Sequence, residues 1–440
     1  MFISLERLAE QRLLTQRDLA TTRTITGNRV DYKAALQLRE QLLRKSFAAF
    51  ERESAKRPVK GFQSFCRSNR NWLDDYAAFM ALRRTQGNRP WTQWPAELRD
   101  RQLAAMKRMR RVVGREIRYH RYLQFQFYTQ WRQLRAHARK KRICLIGDMP
   151  FYVEHDSADV WANRELFKLD ANGLPTHVAG VPPDYFSRTG QLWGNPVYNW
   201  DALKKSDYAW WLLRFRMACD RFDAVRLDHF IGFHRAWSVR AGLKTAKSGR
   251  YENGPGAEFL DSMLSELGGL PFIAEDLGVV TTEVTAMREQ FGLPGVRVVQ
   301  FGFSDDSGRS EHLPHNFPRD CVAYTGTHDN DTAMGWFSDR GKSATTRSKQ
   351  TVERERRIAM AYLGSDGKTF HWDMIRAAMM SAASITIFPM QDVLGLGTES
   401  RMNHPAHSKG NWEWRVEQSA LSESVQSELG LLTRLYGRAP

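Results

Sequence analysis

The sequence predicts an α/β fold of the TIM (β/α)8-barrel type with helical insertions, and three observations carry that prediction. From residue 143 onward, short apolar runs alternate with helix-like segments, the pattern of a parallel sheet covered by helices. Several of these runs finish on a carboxylate: Asp148, Asp228, Glu275 and Asp329. Long polar connections follow several of the runs, and in barrels such connections build the site.

The elements follow in order. Residues 2–5 read as a short strand, and 1–30 as the start of the barrel. Residues 31–140 read as helix after helix, a mainly helical insertion. There Leu123, Phe127, Trp131 and Leu134 recur at helical spacing and are expected in the core. Trp72, Trp91 and Trp94 lie between helices, where burial is favoured over stacking on a ligand. Residues 141–440 form the barrel proper. Its strands are expected at 143–147, 223–227, 271–274, 296–303, 321–324 and 384–388. With residues 2–5 the count is seven, where a closed barrel of this class has eight. The longest connection runs from residue 151 to about 201 and is too rich in Gly, Pro and aromatics for one helix.

Composition narrows the class. The chain has 440 residues, 42% hydrophobic, enough for a large core. No window reaches the ~20 apolar residues of a membrane span. The start, Met1-Phe-Ile-Ser-Leu-Glu-Arg, has neither the basic nor the long apolar region of a signal peptide. Cys66, Cys144, Cys219 and Cys321 form no C-x-x-C, so buried, reduced thiols and a cytoplasmic location are expected. The net charge is +16, concentrated in Lys107–Arg111, Arg115–Arg121 and Arg139–Arg142. Such charge can mark a nucleic-acid binder, but no recognised motif surrounds it. A solvated basic helix face is the preferred reading.

Arg226-Leu-Asp-His229 puts Arg226 and Asp228 on one side of a strand by the period-two rule. A guanidinium so near would keep the carboxylate ionised, as a glycosyl nucleophile requires. A structural Arg–Asp pair at a barrel rim remains equally open from this fragment. In Phe272-Ile-Ala-Glu-Asp-Leu-Gly278 adjacent carboxylates point to opposite sides. Glu275, after the apolar run, suits a general acid/base, since partial desolvation keeps a proton on it near neutrality. Asp276 is expected to bond locally in the turn. His328, Asp329 and Asp331 could be read as a metal site, but no further ligand stands at suitable spacing. Gripping the hydroxyls of a distorted sugar suits them better. The chain has no G-x-S-x-G elbow and no phosphate-binding glycine loop.

These residues resemble the amylomaltases, bacterial 4-α-glucanotransferases of the α-amylase clan. The likeness includes Trp72-Leu-Asp-Asp-Tyr76, Ile146-Gly-Asp-Met-Pro150, Asp156-Ser-Ala-Asp-Val-Trp161 and Val178-Ala-Gly-Val-Pro-Pro-Asp-Tyr185. It continues through Trp193-Gly-Asn-Pro196, Gly326-Thr-His-Asp-Asn-Asp-Thr332, Gln391-Asp-Val-Leu394 and Gly410-Asn-Trp-Glu-Trp-Arg415. The resemblance implies Asp228 as nucleophile, Glu275 as acid/base and Asp329 as transition-state stabiliser. It implies that Arg226 and His328 assist, that Asp148 holds a sugar hydroxyl, and that Gln191 and Trp193 lie in a loop closing over substrate. The implied partners are an α-1,4-glucan donor and acceptor, with no metal or organic cofactor, no nucleic acid and no membrane.

Two departures from the family stand out. Ile231 occupies a position where many relatives carry Arg. Relatives also usually carry several dozen residues before the segment matching Phe2-Ile-Ser-Leu-Glu-Arg-Leu, including the first barrel strand and a sugar-binding tyrosine. The expectation is a barrel lacking its N-terminal strand, either because Met1 is an internal methionine or because the chain is a fragment. Such a barrel would expose two sheet edges. The alternatives are a hydrolase of the same chemistry, a catalytically impaired glucan-binding remnant, and a charge-driven nucleic-acid binder.

Overall fold

Ser4 decides the first element. Its Oγ accepts a hydrogen bond from Arg7 N at 3.1 Å and caps the helix Leu5–Glu10. The strand expected at residues 2–5 is therefore not formed. Four apolar-rich residues cannot separate a strand from a helix start by pattern alone, and the cap settles it. The computed structural model describes residues 2–20, 27–341, 346–405, 407 and 409–439.

The helical segment forms largely as its periodicity requires. Ile3, Leu5, Leu8 and Leu14 share an apolar cluster with Phe47 and Phe50 of helix Tyr32–Lys56 and with Tyr119 and Tyr122 of helix Gly114–Lys140. Trp91 and Trp94 are buried, and Trp72 is half-buried. The stripe on the last helix is shallower than its spacing predicts. Leu134 is exposed, while Trp131 packs edge-on against Phe222, its Nε1 donating to Arg221 O at 3.0 Å. Much of the basic charge here is paired. Arg115 meets Glu51, Arg121 meets Asp74, and Arg135 and Arg139 both meet Asp223.

Among the described residues ten strands follow: β1 (Ile146–Met149), β2 (His177–Val181), β3 (Gln191–Pro196), β4 (Ala224–Leu227), β5 (Arg235–Arg240), β6 (Gly249–Asn253), β7 (Phe272–Ala274), β8 (Gly295–Val298), β9 (Cys321–Tyr324) and β10 (Ile385–Ile387). Two parallel sheets run β1-β4-β7 and β8-β9-β10. A backbone bond from Ala274 N to Pro294 O at 2.9 Å carries one into the other. Their shared inner layer is Ile273, Val296, Val298, Val322 and Tyr324. The run expected at 296–303 is a strand only as far as Val298 and then turns into a short 3-10 helix. The long connection after residue 151 is more ordered than a loop. It supplies β2 and β3 to an antiparallel sheet of order β3-β2-β5-β6.

Gly147 permits the closest packing in β1. A Cβ there would lie 2.3 Å from Phe222 Cδ2, so no larger residue fits without moving that ring. Among the described residues, β1 and β10 are sheet edges without a further strand partner, and both line one cavity of about 340 Å³. Of the cysteines, Cys321 is buried as expected, but Cys144 is exposed, because it precedes β1 instead of lying within it. All four thiols are free. No described helix is long and apolar enough to cross a membrane.

Candidate active site

The parallel register brings three of the predicted carboxylates, Asp148, Asp228 and Glu275, to neighbouring strand ends, whereas Asp329 does not end a strand as expected because β9 stops at Tyr324. Asp148 on β1 stands opposite Arg226 on β4, which stands opposite Ile273 on β7. Arg226 Nη1 donates to both oxygens of Asp148 at 2.8 Å and to Asp228 Oδ1 at 2.9 Å. Burial alone would weaken the Arg226 charge, but Glu275, Asp148 and Asp228 outweigh it and raise its pKa. One permanently charged group therefore orients two carboxylates at adjacent strand ends.

Glu275 follows β7 directly and is 8% exposed. Burial pushes its pKa up to about 8; Arg226 opposes that shift and Asp228 adds to it. Its Oε2 accepts from His229 N at 2.7 Å. His229 can offer that N–H because its backbone is left-handed, at φ 52° and ψ 48°. The main chain continues the pairing, with Glu275 N donating to Leu227 O and Phe230 N to Glu275 O, both at 3.1 Å.

Asp329 sits in the loop between β9 and the helix Ala333–Ser338. Its Oδ1 accepts from Asn403 Nδ2 at 2.6 Å and lies 3.5 Å from His328 Nε2. Arg401 Nη2 donates to the Asp329 carbonyl at 2.6 Å. The His328 ring lies 5.2 Å from that of Trp412. Asp331 turns away from this pair; its Oδ2 accepts from Thr398 Oγ1 at 2.7 Å. Among the described residues, no three His, Cys, Asp or Glu side chains are grouped to hold a metal ion.

A cavity of about 1110 Å³ lies over the strand ends, lined by Asp228, Glu275, His328, Asp329, Gln191 and Trp193, among others. Asp148 lines the adjoining smaller cavity, and the two share Arg226, His328 and Trp412. Trp193 sits edge-on to His229 at 5.1 Å. Gln191 braces it, accepting from Trp193 Nε1 at 3.2 Å and donating to Asp184 Oδ2 at 2.6 Å. Asn403 and Arg401 went unnoticed in the sequence, and Asp184 was marked only as part of its motif. Asn403 lies 74 residues from Asp329, in a segment with no periodicity to mark it. Asp276 also departs from expectation. It is buried and bonds across to the next strand, accepting from Val296 N at 2.7 Å beside Arg288 and Arg297. Two buried guanidiniums outcompete a local turn contact.

Comparisons with known proteins place the chain in a family. The family model described as 4-alpha-glucanotransferase, glycoside hydrolase family 77, matches residues 1–421. The chain belongs to the 4-alpha-glucanotransferase family. A 4-alpha-glucanotransferase of Synechocystis sp. is 43% identical over 440 residues, covering 99% of this chain and 85% of that protein. The 4-alpha-glucanotransferase of Thermus thermophilus is 42% identical over 402 residues, covering 90% of this chain and 78% of its own length. Among solved structures, the amylomaltase of Streptococcus agalactiae in complex with acarbose superposes with a TM-score of 0.93 at 34% identity. That match covers 100% of this chain and 86% of the other.

Proposed function

We propose that this member of the 4-alpha-glucanotransferase family moves α-1,4-glucan segments between malto-oligosaccharides by a retaining double displacement. The observation that carries the reading is the shared setting of Arg226, Asp228 and Glu275. One carboxylate is paired to a cation, while the other, at the next strand end, is buried and holds its proton to about pH 8. A carboxylate held by a cation next to a carboxyl that is buried divides the roles of nucleophile and acid.

Asp228 attacks the anomeric carbon while the Glu275 proton passes to the departing glycosidic oxygen. A glucosyl ester on Asp228 forms as the C–O bond to the leaving glucan breaks. Glu275, now a carboxylate, takes the proton from the 4-hydroxyl of a second glucan. That oxygen displaces Asp228, and configuration is retained. Asp329 and His328 grip hydroxyls of the distorted ring as positive charge develops on it. Asp148 holds a further hydroxyl, and Gln191 and Trp193 form part of the wall over the substrate. No step calls for a metal, an organic cofactor, a nucleic acid or a membrane.

The six parallel strands read as staves of a (β/α)8-type barrel. An eight-stranded count assigns two more staves to the interval between the β1 and β10 edges. Residues 31–140 form the helical insertion, and 141–440 the catalytic part. Four free thiols suit the reducing cytoplasm. Incubation of the 440-residue chain with maltotriose tests the function. Glucose plus a ladder of longer maltodextrins is the expected product set; unchanged maltotriose from folded protein would reject it for this chain.

A further inference from the structure

The motif Gln391-Asp-Val-Leu394 takes no part in the chemistry above, yet Asp392 is only 1% exposed. It lies in the short helix Met390–Val393 after β10, and its two oxygens reach the two ends of one loop. Oδ2 accepts from Thr325 Oγ1 at 2.6 Å, and Oδ1 accepts from Ala333 N at 2.7 Å. Thr325 is the residue after β9 and is fully buried; Ala333 opens the next helix. His328 and Asp329 lie between them. The loop thus leaves the sheet and enters the helix at a single carboxylate.

We propose that Asp392 is a positioning residue for Asp329, fixing both ends of the segment 325–333 to one rigid group. The inference rests on the reading of Asp329 as stabiliser. A buried carboxylate is unfavourable unless its oxygens are bonded, and here both are bonded to the loop it anchors. Electrostatic stabilisation is effective only when the stabilising group needs no reorganisation at the moment of reaction. The middle of the loop is held from other segments, by Arg401 and Asn403 on Asp329 and by Gln300 Nε2 donating to Asp331 O at 2.8 Å. Those contacts keep their aim only while the loop ends stay in register with β9 and the following helix.

The test compares Thr325→Val, Thr325→Ser, Asp392→Asn, Asp392→Ala and Asp329→Asn in maltotriose disproportionation, with folding followed by circular dichroism. Thr325→Val removes the hydroxyl at nearly constant volume. It is expected to lower kcat about tenfold or more while KM changes less than about threefold, the signature of a group acting in the transition state. Thr325→Ser keeps the donor and Asp392→Asn keeps the acceptor for Ala333 N–H; both are expected to retain kcat within about threefold. Asp392→Ala is expected to lose more than Thr325→Val. A folded Thr325→Val enzyme with native kcat would overturn the anchor, and this variant decides the matter if Asp392→Ala does not fold. If Asp329→Asn itself kept native kcat, the reading of the site would fall instead. An inactive Asp329→Asn beside a native-like Thr325→Val would reject the anchor alone.

Discussion

Asp148 and Arg226 face each other in register on neighbouring parallel strands, and Arg226 Nη1 bonds both oxygens of Asp148 at 2.8 Å. The same nitrogen reaches Asp228. A lysine offers a compact charge on a flexible stem and would not reproduce this shared grip. Arg226→Lys is expected to lower kcat about 10- to 100-fold, from the ~1.5–3 kcal/mol of a hydrogen bond to a charged group. Steady-state kinetics on maltotriose check it.

Asp228→Asn removes the proposed nucleophile while keeping its shape. Transfer is expected to fall by about 1000-fold or more, since the covalent route is closed. Disproportionation near the native rate, from protein whose circular dichroism is unchanged, would reassign the nucleophile.

In the proposed mechanism Glu275 must be protonated to assist departure of the glucan. Its pKa of about 8 predicts activity that declines as pH rises through that value. Stability follows with the opposite benefit from substitution. The native carboxyl holds its proton more tightly than the unfolded one, whose ordinary value is near 4.5, so it destabilises the fold increasingly between those two pH values and levels off above about 8. Glu275→Gln is therefore expected to abolish transfer and to raise Tm more at pH about 8.5 than at pH about 5. An equal Tm shift at both pH values would contradict the buried, proton-retaining acid.

Asn403 donates to Asp329 Oδ1 at 2.6 Å. Asn403→Ala leaves that oxygen without its donor and lets the carboxylate turn. A loss in kcat of about 10- to 100-fold is expected, again from the ~1.5–3 kcal/mol of a charged hydrogen bond. A variant that changed KM alone would show that Asn403 serves ground-state binding instead.

Gly147→Ala drives a methyl into the Phe222 ring. Overpacking of this kind costs about 1–3 kcal/mol and is expected to lower Tm without changing the pH profile of activity. Thermal denaturation followed by circular dichroism, beside a pH–rate curve, separates the two effects.

The parallel strands were legible because most contain a short apolar run, and β4 and β7 run straight into a carboxylate, a pattern local to a few residues. Strand ends such as Asp228 and Glu275 therefore stood out, and the structure brings them to one cavity. Features that depend on distant partners did not stand out. Asp276 reads as a turn residue until Arg288 and Arg297 are seen beside it, and Asn403 and Asp392 gain meaning only where the chain returns to the loop of Asp329. Residues 2–5 show the converse, a local ambiguity in which one serine cap outweighed an apolar run.

The left-handed turn at His229 has a consequence for how this enzyme can drift. The N–H that holds Glu275 belongs to the peptide unit directly after Asp228, so the proposed acid and nucleophile are joined through main chain and not through an interchangeable side chain. Substituting the imidazole leaves that tether in place, provided the new residue accepts a positive φ; asparagine does so readily, and a β-branched residue does not. The ring itself lines the cavity beside Trp193, so a change there reshapes that wall while the main-chain spacing of the two carboxylates is kept.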